Sequence, residues 1–306
     1  MRRTVLRLWV SLTPCRISPD TRPKEECCTP SLSRNTRSGV LAVWLATIAW
    51  LPLAARDLHV CADPNNLPYS NRSGQGFENR LAELIAHDLH ANLDYVWWSQ
   101  RKNFLRDTLN AGRCDLVMGV PANMPDTLTS RPYYRSSYVF VFREHSGLDL
   151  ISLDDPALNR LRIGVHVVGD AYAPPGQALA RRGIVSNIVG FSLFGRHDEP
   201  NPARGILDAL ARDQIDVALV WGPQAGYFAA HEPVAMRVTP LPAAEQTPML
   251  PFVYEISVAI RAGDQTMRSA IDSILERRRG EIRRILTQFR VPQLENPEDK
   301  STWPAL

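Results

Sequence analysis

The chain has 306 residues, 44% of them hydrophobic and 22% charged, with a formal net charge of +3. That apolar fraction supports one large core or two modest ones and excludes a disordered chain, while Lys and Arg spread along the sequence leave no footprint for nucleic acid. The densest basic run, "ERRRGEIRR" from Glu276 to Arg284, alternates with apolar positions at helical spacing and reads as a solvated helix face.

In chain order, residues 1–39 carry Cys15, Cys27 and Cys28 among Pro, Arg and Ser without sustained apolar periodicity, and read as an unstructured or over-extended N-terminus. Residues 40–55, "VLAVWLATIAWLPLAA", follow Arg34 and Arg37 and end in small residues. This is the pattern of a secretory signal peptide, too short for a comfortable membrane span. The expectation is Sec-type export to the periplasm, with the mature chain starting near Arg56 and no membrane association afterwards. Two cysteines then remain, Cys61 and Cys114. An oxidising compartment points to a disulfide between them. Parallel neighbouring strands in register would instead hold them roughly 10 Å apart, beyond the roughly 7 Å limit for a bridge, so the sequence leaves a bond and two buried thiols both open.

From Leu58 onwards strand and helix alternate. "LHVCA", "LDYVWW" and "DLVMGV" read as strands, with helices "GFENRLAELIAHDLH" and "KNFLRDTLNAG" between them. After the extended segment "SRPYYRSSYVFVFR" the alternation restarts, with strands "RIGVHV", "SNIVGFSL" and "IDVALVWG" separated by helices "PPGQALARRG" and "NPARGILDALARDQ". "YEISVAIRAG" then gives a last strand, followed by two helices ending before Pro292. The expected fold is α/β, with two parallel-sheet lobes joined by two crossovers. Lobe 1 takes residues 56–142 plus 248–306 and lobe 2 takes 148–240, with hinges near Phe142–Gly147 and Pro240–Pro251. Ligands of open parallel sheets collect at the carboxyl ends of the strands. Those ends nominate Asp63, Asn65, Asn66, Tyr69, Trp98, Arg131, Tyr134, His166, Asp170 and Trp221 as the lining of an interlobe cleft. Asp63 and Asn65 serve equally well as turn residues.

No nucleophile elbow, HExxH, phosphate loop or CxxC occurs, so no motif nominates a reaction, a metal or a cofactor, and a non-enzymatic protein is expected. His87 and His90 in "HDLH", near Asp94, read as a solvated helix end, and His197, Asp198 and Glu199 gather on a loop as a weak cation candidate.

The order "ADPNNLPYS … GFENRLAELIA … LNAGRCDLVMGV … RPYYRSSYVFV … LRIGVHVVGD … IDVALVWGPQAGYF … YEISVAIRAGD" resembles the type II periplasmic solute-binding proteins, near the polar amino-acid receptors of ABC transporters. More narrowly, "VCADPNNLPYSN", "TLNAGRCD", "LARRGIVSNIVGFS" and "VWGPQAGYF" resemble the binding-protein-like accessory factors of quinoprotein, PQQ-dependent methanol dehydrogenases. The similarity spans about residues 57 to 294. It implies a two-lobed type II fold and a quinoprotein alcohol dehydrogenase as partner, in a methylotrophic setting. The alternative is the substrate-binding component of an ABC transporter for a small solute other than a standard amino acid. Receptors of that class hold the ligand carboxylate with an Arg and its ammonium with an acid. Alignment on Pro132–Tyr134 puts Asn123 near the first position, and alignment on Asp216 and Pro223 puts Trp221 at the second. Arg131 is the one candidate to replace the missing Arg. The many aromatics near strand ends point to a cleft that holds a protein segment, with the lobes apart in its absence.

Overall fold

The computed structural model describes residues 56–125, 127–194 and 201–294. The expectations for residues 1–55 and for His197, Asp198 and Glu199 lie outside them. The first half runs β1 (Arg56–Ala62), the small hairpin β2 (Asn65–Asn66) and β3 (Ser70–Asn71), α1 (Phe77–Asp88), β4 (Ala91–Trp97), α2 (Phe104–Asp107), β5 (Leu116–Pro121) and β6 (Leu128–Thr129). The long β7 (Tyr134–Arg143) leads into β8 (Ile163–Val168), β9 (Ala171–Tyr172), α3 (Pro174–Arg181), β10 (Ile188–Ser192), α4 (Gly205–Ala211), β11 (Val217–Trp221), α5 (Gly222–Ala229) and β12 (Met236–Pro240). The chain returns through β13 (Val253–Ile260) and closes with α6 (Gln265–Arg277) and α7 (Arg279–Gln288).

Local sequence explains most of these elements. Phe77, Leu81, Ala82, Ile85 and Ala86 recur at helical spacing and are the buried face of α1. β11, "VALVW", is a continuous apolar run, as a strand covered on both faces requires. The expected helix 102–112 is shorter than its periodicity predicts. Only Phe104–Asp107 is helical: the Thr108 backbone leaves helical angles at φ −118° and ψ −84°, and the chain then turns with the Asn110 and Arg113 N–H groups donating to the Leu105 and Thr108 carbonyls. Helix α5 had no strong signal, since "GPQAGYFA" is apolar on nearly every side.

The strands run in the order β10–β8–β11–β7–β13–β5–β1–β4, with β12 added beside β7. β7 is the bridge. Its first part, Tyr134–Ser137, pairs antiparallel with β13, and its second part, from Tyr138 on, pairs with β11 and β12. The crossover therefore falls at Ser137–Tyr138, earlier than the expected Phe142–Gly147, because one strand serves both sheets without a break. Each half has its own core, built in one around Phe77, Leu116 and Ile271 and in the other around Phe140, Phe142 and Leu219. The two-lobed α/β architecture expected from the sequence is present.

The lobes are not held apart. The Asn201 side-chain carbonyl accepts from the Leu67 N–H at 2.9 Å, and the Asn201 N–H donates to the Asn65 carbonyl at 3.2 Å. A helix of lobe 2, α5, also seats on the end of lobe 1, where a Cβ at Gly226 would lie 1.9 Å from the Arg290 carbonyl oxygen. Only glycine permits that approach.

Cys61 and Cys114 form a disulfide with their Cα atoms 5.6 Å apart. The expectation of a 10 Å gap assumed that the strand line continues back through Cys114. It does not: β5 begins at Leu116, and the Arg113 and Gly112 N–H groups bond back to the Thr108 and Leu109 carbonyls. Cys114 thus comes in from a turn rather than along the strand.

Candidate functional site

Between the lobes lies a cavity of about 390 Å³. Lobe 1 contributes the loop after β1, the first turn of α1 and part of β5, and lobe 2 contributes the end of β11 and the start of α5. Of the residues nominated from sequence, Asp63, Asn65, Asn66, Tyr69, Tyr134 and Trp221 line it.

Their roles differ. Asp63 builds the loop, since its carboxylate accepts from the Asn65 N–H at 2.8 Å and from the Gln100 N–H. Its carbonyl takes the Ser70 hydroxyl at 2.8 Å. Asn66 fixes the neighbouring wall by donating to the Gln100 side-chain carbonyl at 2.7 Å. Tyr134 is only 7% exposed and packs edge-on against Phe77, so it belongs to the core as well as to the cavity wall. Trp221 meets Tyr138 and Tyr254 edge-on, with ring centroids 5.3 and 5.5 Å away.

Four nominees lie elsewhere. Trp98 is exposed beneath the Arg113 guanidinium, 5.1 Å from its ring centroid. The Arg131 N–H donates to Asp272, and the residue borders a separate groove along α6 and α7, which leaves it unable to replace the missing carboxylate anchor in the cavity. His166 is buried, its Nε2 3.2 Å from the Ala203 carbonyl, and burial pushes the imidazole down to about 4. Asp170 sits at the exposed tip of the β8–β9 hairpin. The strand-end rule misplaced this residue because the hairpin turns the chain aside before α3 begins.

Sequence reasoning missed Glu78, Tyr138, Gln224 and Tyr254, all on the cavity wall. Tyr138 follows Tyr134 at an even spacing on β7, a period-two signal that marks the same face. Glu78 stands in the first turn of α1. That turn is set by Asn79, whose side-chain carbonyl accepts from the Gly76 and Asn71 N–H groups at 3.1 Å each. The Phe77 and Glu78 N–H groups are already used by the Pro68 and Tyr69 carbonyls. The helix N-terminus would favour a charged carboxylate, but burial wins and pushes the Glu78 carboxyl up to about 8. Space for it is made by Gly119, which adopts φ +73°. A Cβ there would lie 2.0 Å from Glu78 Oε1. Among the described residues no side chain donates to this carboxyl and no cation pairs with it, and no group of three or more potential metal ligands occurs.

No model of a protein family matches the sequence. Individual relatives do. The chain is 30% identical over 280 residues to MoxJ of Methylorubrum extorquens, covering 87% of this chain and 90% of that protein, and 27% identical to MoxJ of Paracoccus denitrificans over 78% and 89%. Among solved structures it superposes on MxaJ from Methlophaga aminisulfidivorans with a TM-score of 0.69 at 27% identity. XoxJ from Methylobacterium extorquens, a periplasmic binding protein, gives 0.65 at 33%, and each match covers 78% of this chain and all of the other. An ancestral cationic amino-acid solute-binding protein, at 19% identity and a TM-score of 0.60, shares the fold alone. The length of these matches and the shared two-lobed architecture establish that the chain belongs to the MoxJ family and has the type II periplasmic binding-protein fold.

Proposed function

We propose that this protein is a periplasmic, non-enzymatic accessory factor of a PQQ-dependent alcohol dehydrogenase, and that it supports maturation or activation by holding a segment of that enzyme in the interlobe cavity. The observation that carries the reading is the wall of the cavity. Where amino-acid receptors place their carboxylate-binding Arg and ammonium-binding acid, this chain has Asn123, which does not line the cavity, and Trp221, which does. A zwitterion would leave its carboxylate without a guanidinium fork, whereas a protein segment needs apolar anchors and a few positioning groups. Tyr138, Trp221 and Tyr254 supply such anchors from both lobes. Membership of the MoxJ family supports the dehydrogenase as partner, as do the motifs that resemble quinoprotein accessory factors. The Asn201 contacts at the mouth release when the segment enters.

The test is capture of the dehydrogenase from periplasm by wild-type protein and by Trp221→Ala/Tyr254→Ala, both of which remove partly exposed rings rather than core. Truncated aromatic anchors cost about 2 kcal/mol or more, which is about thirtyfold in affinity. The expected result is loss of capture and lower active dehydrogenase with the fold retained; equal capture and activation by both proteins would remove the cavity as the partner site. Calorimetry with the standard amino acids should show no sub-micromolar binder, and one clear isotherm would favour a transporter receptor instead.

A further inference from the structure

Two polar groups of the cavity wall, one from each lobe, offer acceptors to a guest. Glu78 enters from lobe 1 without an ion pair to any cation among the described residues. Gln224 enters from lobe 2, is 5% exposed, and its Oε1 is buried without a hydrogen-bond partner. Both offer acceptors. The rings of Tyr69, Tyr134, Tyr138, Trp221 and Tyr254 stand around them. Aromatic faces are electronegative and attract cations most strongly where water is excluded. An anion would meet the Glu78 carboxyl and electronegative ring faces, with Arg101 on an exposed loop as the cation of the wall among the described residues, and a purely apolar guest would leave Glu78 and Gln224 unpaired at a cost. A metal ion would find no group of three or more potential ligands among the described residues.

We propose that the cavity binds an organic cation, an alkylammonium or guanidinium group, with Glu78 as its counter-ion, Gln224 as a second acceptor from the opposite lobe and the aromatic rings as its walls. The cation carries no carboxylate of its own next to the charge, since no guanidinium fork awaits one. Its source is either a free small amine or the Lys or Arg side chain of a bound protein segment. The inference rests on the same cavity as the accessory role but not on the identity of that partner.

Binding is linked to pH. The empty site holds Glu78 protonated at neutral pH, so the cation displaces a proton. The other titratable groups facing Glu78 are the hydroxyls of Tyr69, Tyr95, Tyr133 and Tyr134, which burial holds above the ordinary range and which stay neutral. The charged residues on the wall are Asp63 and Arg101 on the loops at its rim, of opposite sign.

The experiment titrates the mature protein with butylammonium and with propylguanidinium at pH 8.5, 7.5 and 6.5, and measures dehydrogenase capture in parallel. Expected are uptake of these cations at pH 8.5, affinity that falls about tenfold per pH unit below about 8, and release of up to about one proton per cation. Glu78→Gln should weaken binding by at least about thirtyfold and remove the pH dependence, with unchanged near-UV circular dichroism. Loss of capture in Glu78→Gln, together with competition by propylguanidinium, assigns the cation to a partner side chain. Cation uptake without any capture assigns it to a free amine, which keeps the site and discards the dehydrogenase reading. No cation uptake at pH 8.5, with capture that Glu78→Gln leaves intact, overturns the cation site and keeps the accessory role.

Discussion

The two lobes open with the same unit, a buried parallel strand followed by a turn and a helix, yet only one of them carries chemistry to the cavity. After β1 the chain makes a loop of Asx turns that delivers Tyr69 and then Glu78 on the first turn of α1. After β8 it folds back at once into β9, so that His166 is sealed in the core and Asp170 is left outside. The difference lies in the turn beyond each strand rather than in the strand itself. Each unit buries a titratable group, Glu78 on α1 and His166 on β8, but with opposite consequences. An acid held neutral in lobe 1 lowers stability as pH rises, and an imidazole held neutral in lobe 2 lowers it as pH falls.

The largest way to separate the halves is the disulfide, which only lobe 1 possesses. Closing a loop across a sequence separation of 53 residues is worth about 4 kcal/mol in the chain-entropy model. Cys61→Ala/Cys114→Ala should lose about that much in urea unfolding, with hydrogen exchange rising in β1 and β5 before β8 and β11. Uniform loosening of both lobes would show that they unfold as one unit.

Next comes Glu78. Its folded carboxyl titrates near 8 and its unfolded one near the ordinary 4.5. Between these values the unfolded chain binds fewer protons than the folded one, so stability falls as pH rises from about 4.5 to about 8 and levels beyond. Glu78→Gln should remove that slope and raise stability at pH 8 by on the order of 3 kcal/mol. A slope of unchanged size in the variant would place the titrating group elsewhere.

For His166 the sign reverses. Its folded value lies near 4, below the unfolded 6.5, so the unfolded chain binds more protons in that window and stability is lost as pH falls through it. His166→Ala should cost about 2 kcal/mol at pH 7 through a lost hydrogen bond and a small cavity. It should cost less at pH 5 and leave cavity binding unchanged, and altered cation uptake in this variant would reconnect the lobe 2 turn to the site.

The smallest effect is at Asp88, where α1 meets the α6–α7 junction. The Arg278 and Arg277 guanidinium groups hold its carboxyl below the usual range. Because the folded value is lowered, the contribution is present above pH 4 and lost as pH falls further. Asp88→Asn should lower Tm by about 2 °C at pH 7 and by distinctly less near pH 2. Scanning calorimetry at the two pH values decides it.

The fold was legible because strands such as "VALVW" and helices such as α1 carry their burial pattern in the residues themselves. The bridging role of β7 was not, since nothing in "YRSSYVFVFR" marks where its pairing partners change. The site was half legible. Asp63, Tyr69 and Trp221 stand where strand-end reasoning looks, but Glu78 reads as an ordinary first-turn acid until tertiary packing surrounds it, and Gly119 makes room for it from a different strand. Gln224 belongs to a helix with no amphipathic signature. Asp170 failed for a local reason, a two-residue hairpin whose signal is a bare Gly169–Asp170 pair between two short runs.

The contact at Gly226 limits how the cleft opens. The lobes share unbroken backbone at Ser137–Tyr138, and α5 of one lobe sits directly on the Arg290 carbonyl of the other. Two fixed points define an axis, and rotation about that axis is a single degree of freedom. A guest therefore meets a jaw rather than a loose pair of domains. Even Gly226→Ala, which adds one methyl where none fits, would shift the axle and misalign the bite without touching the cavity.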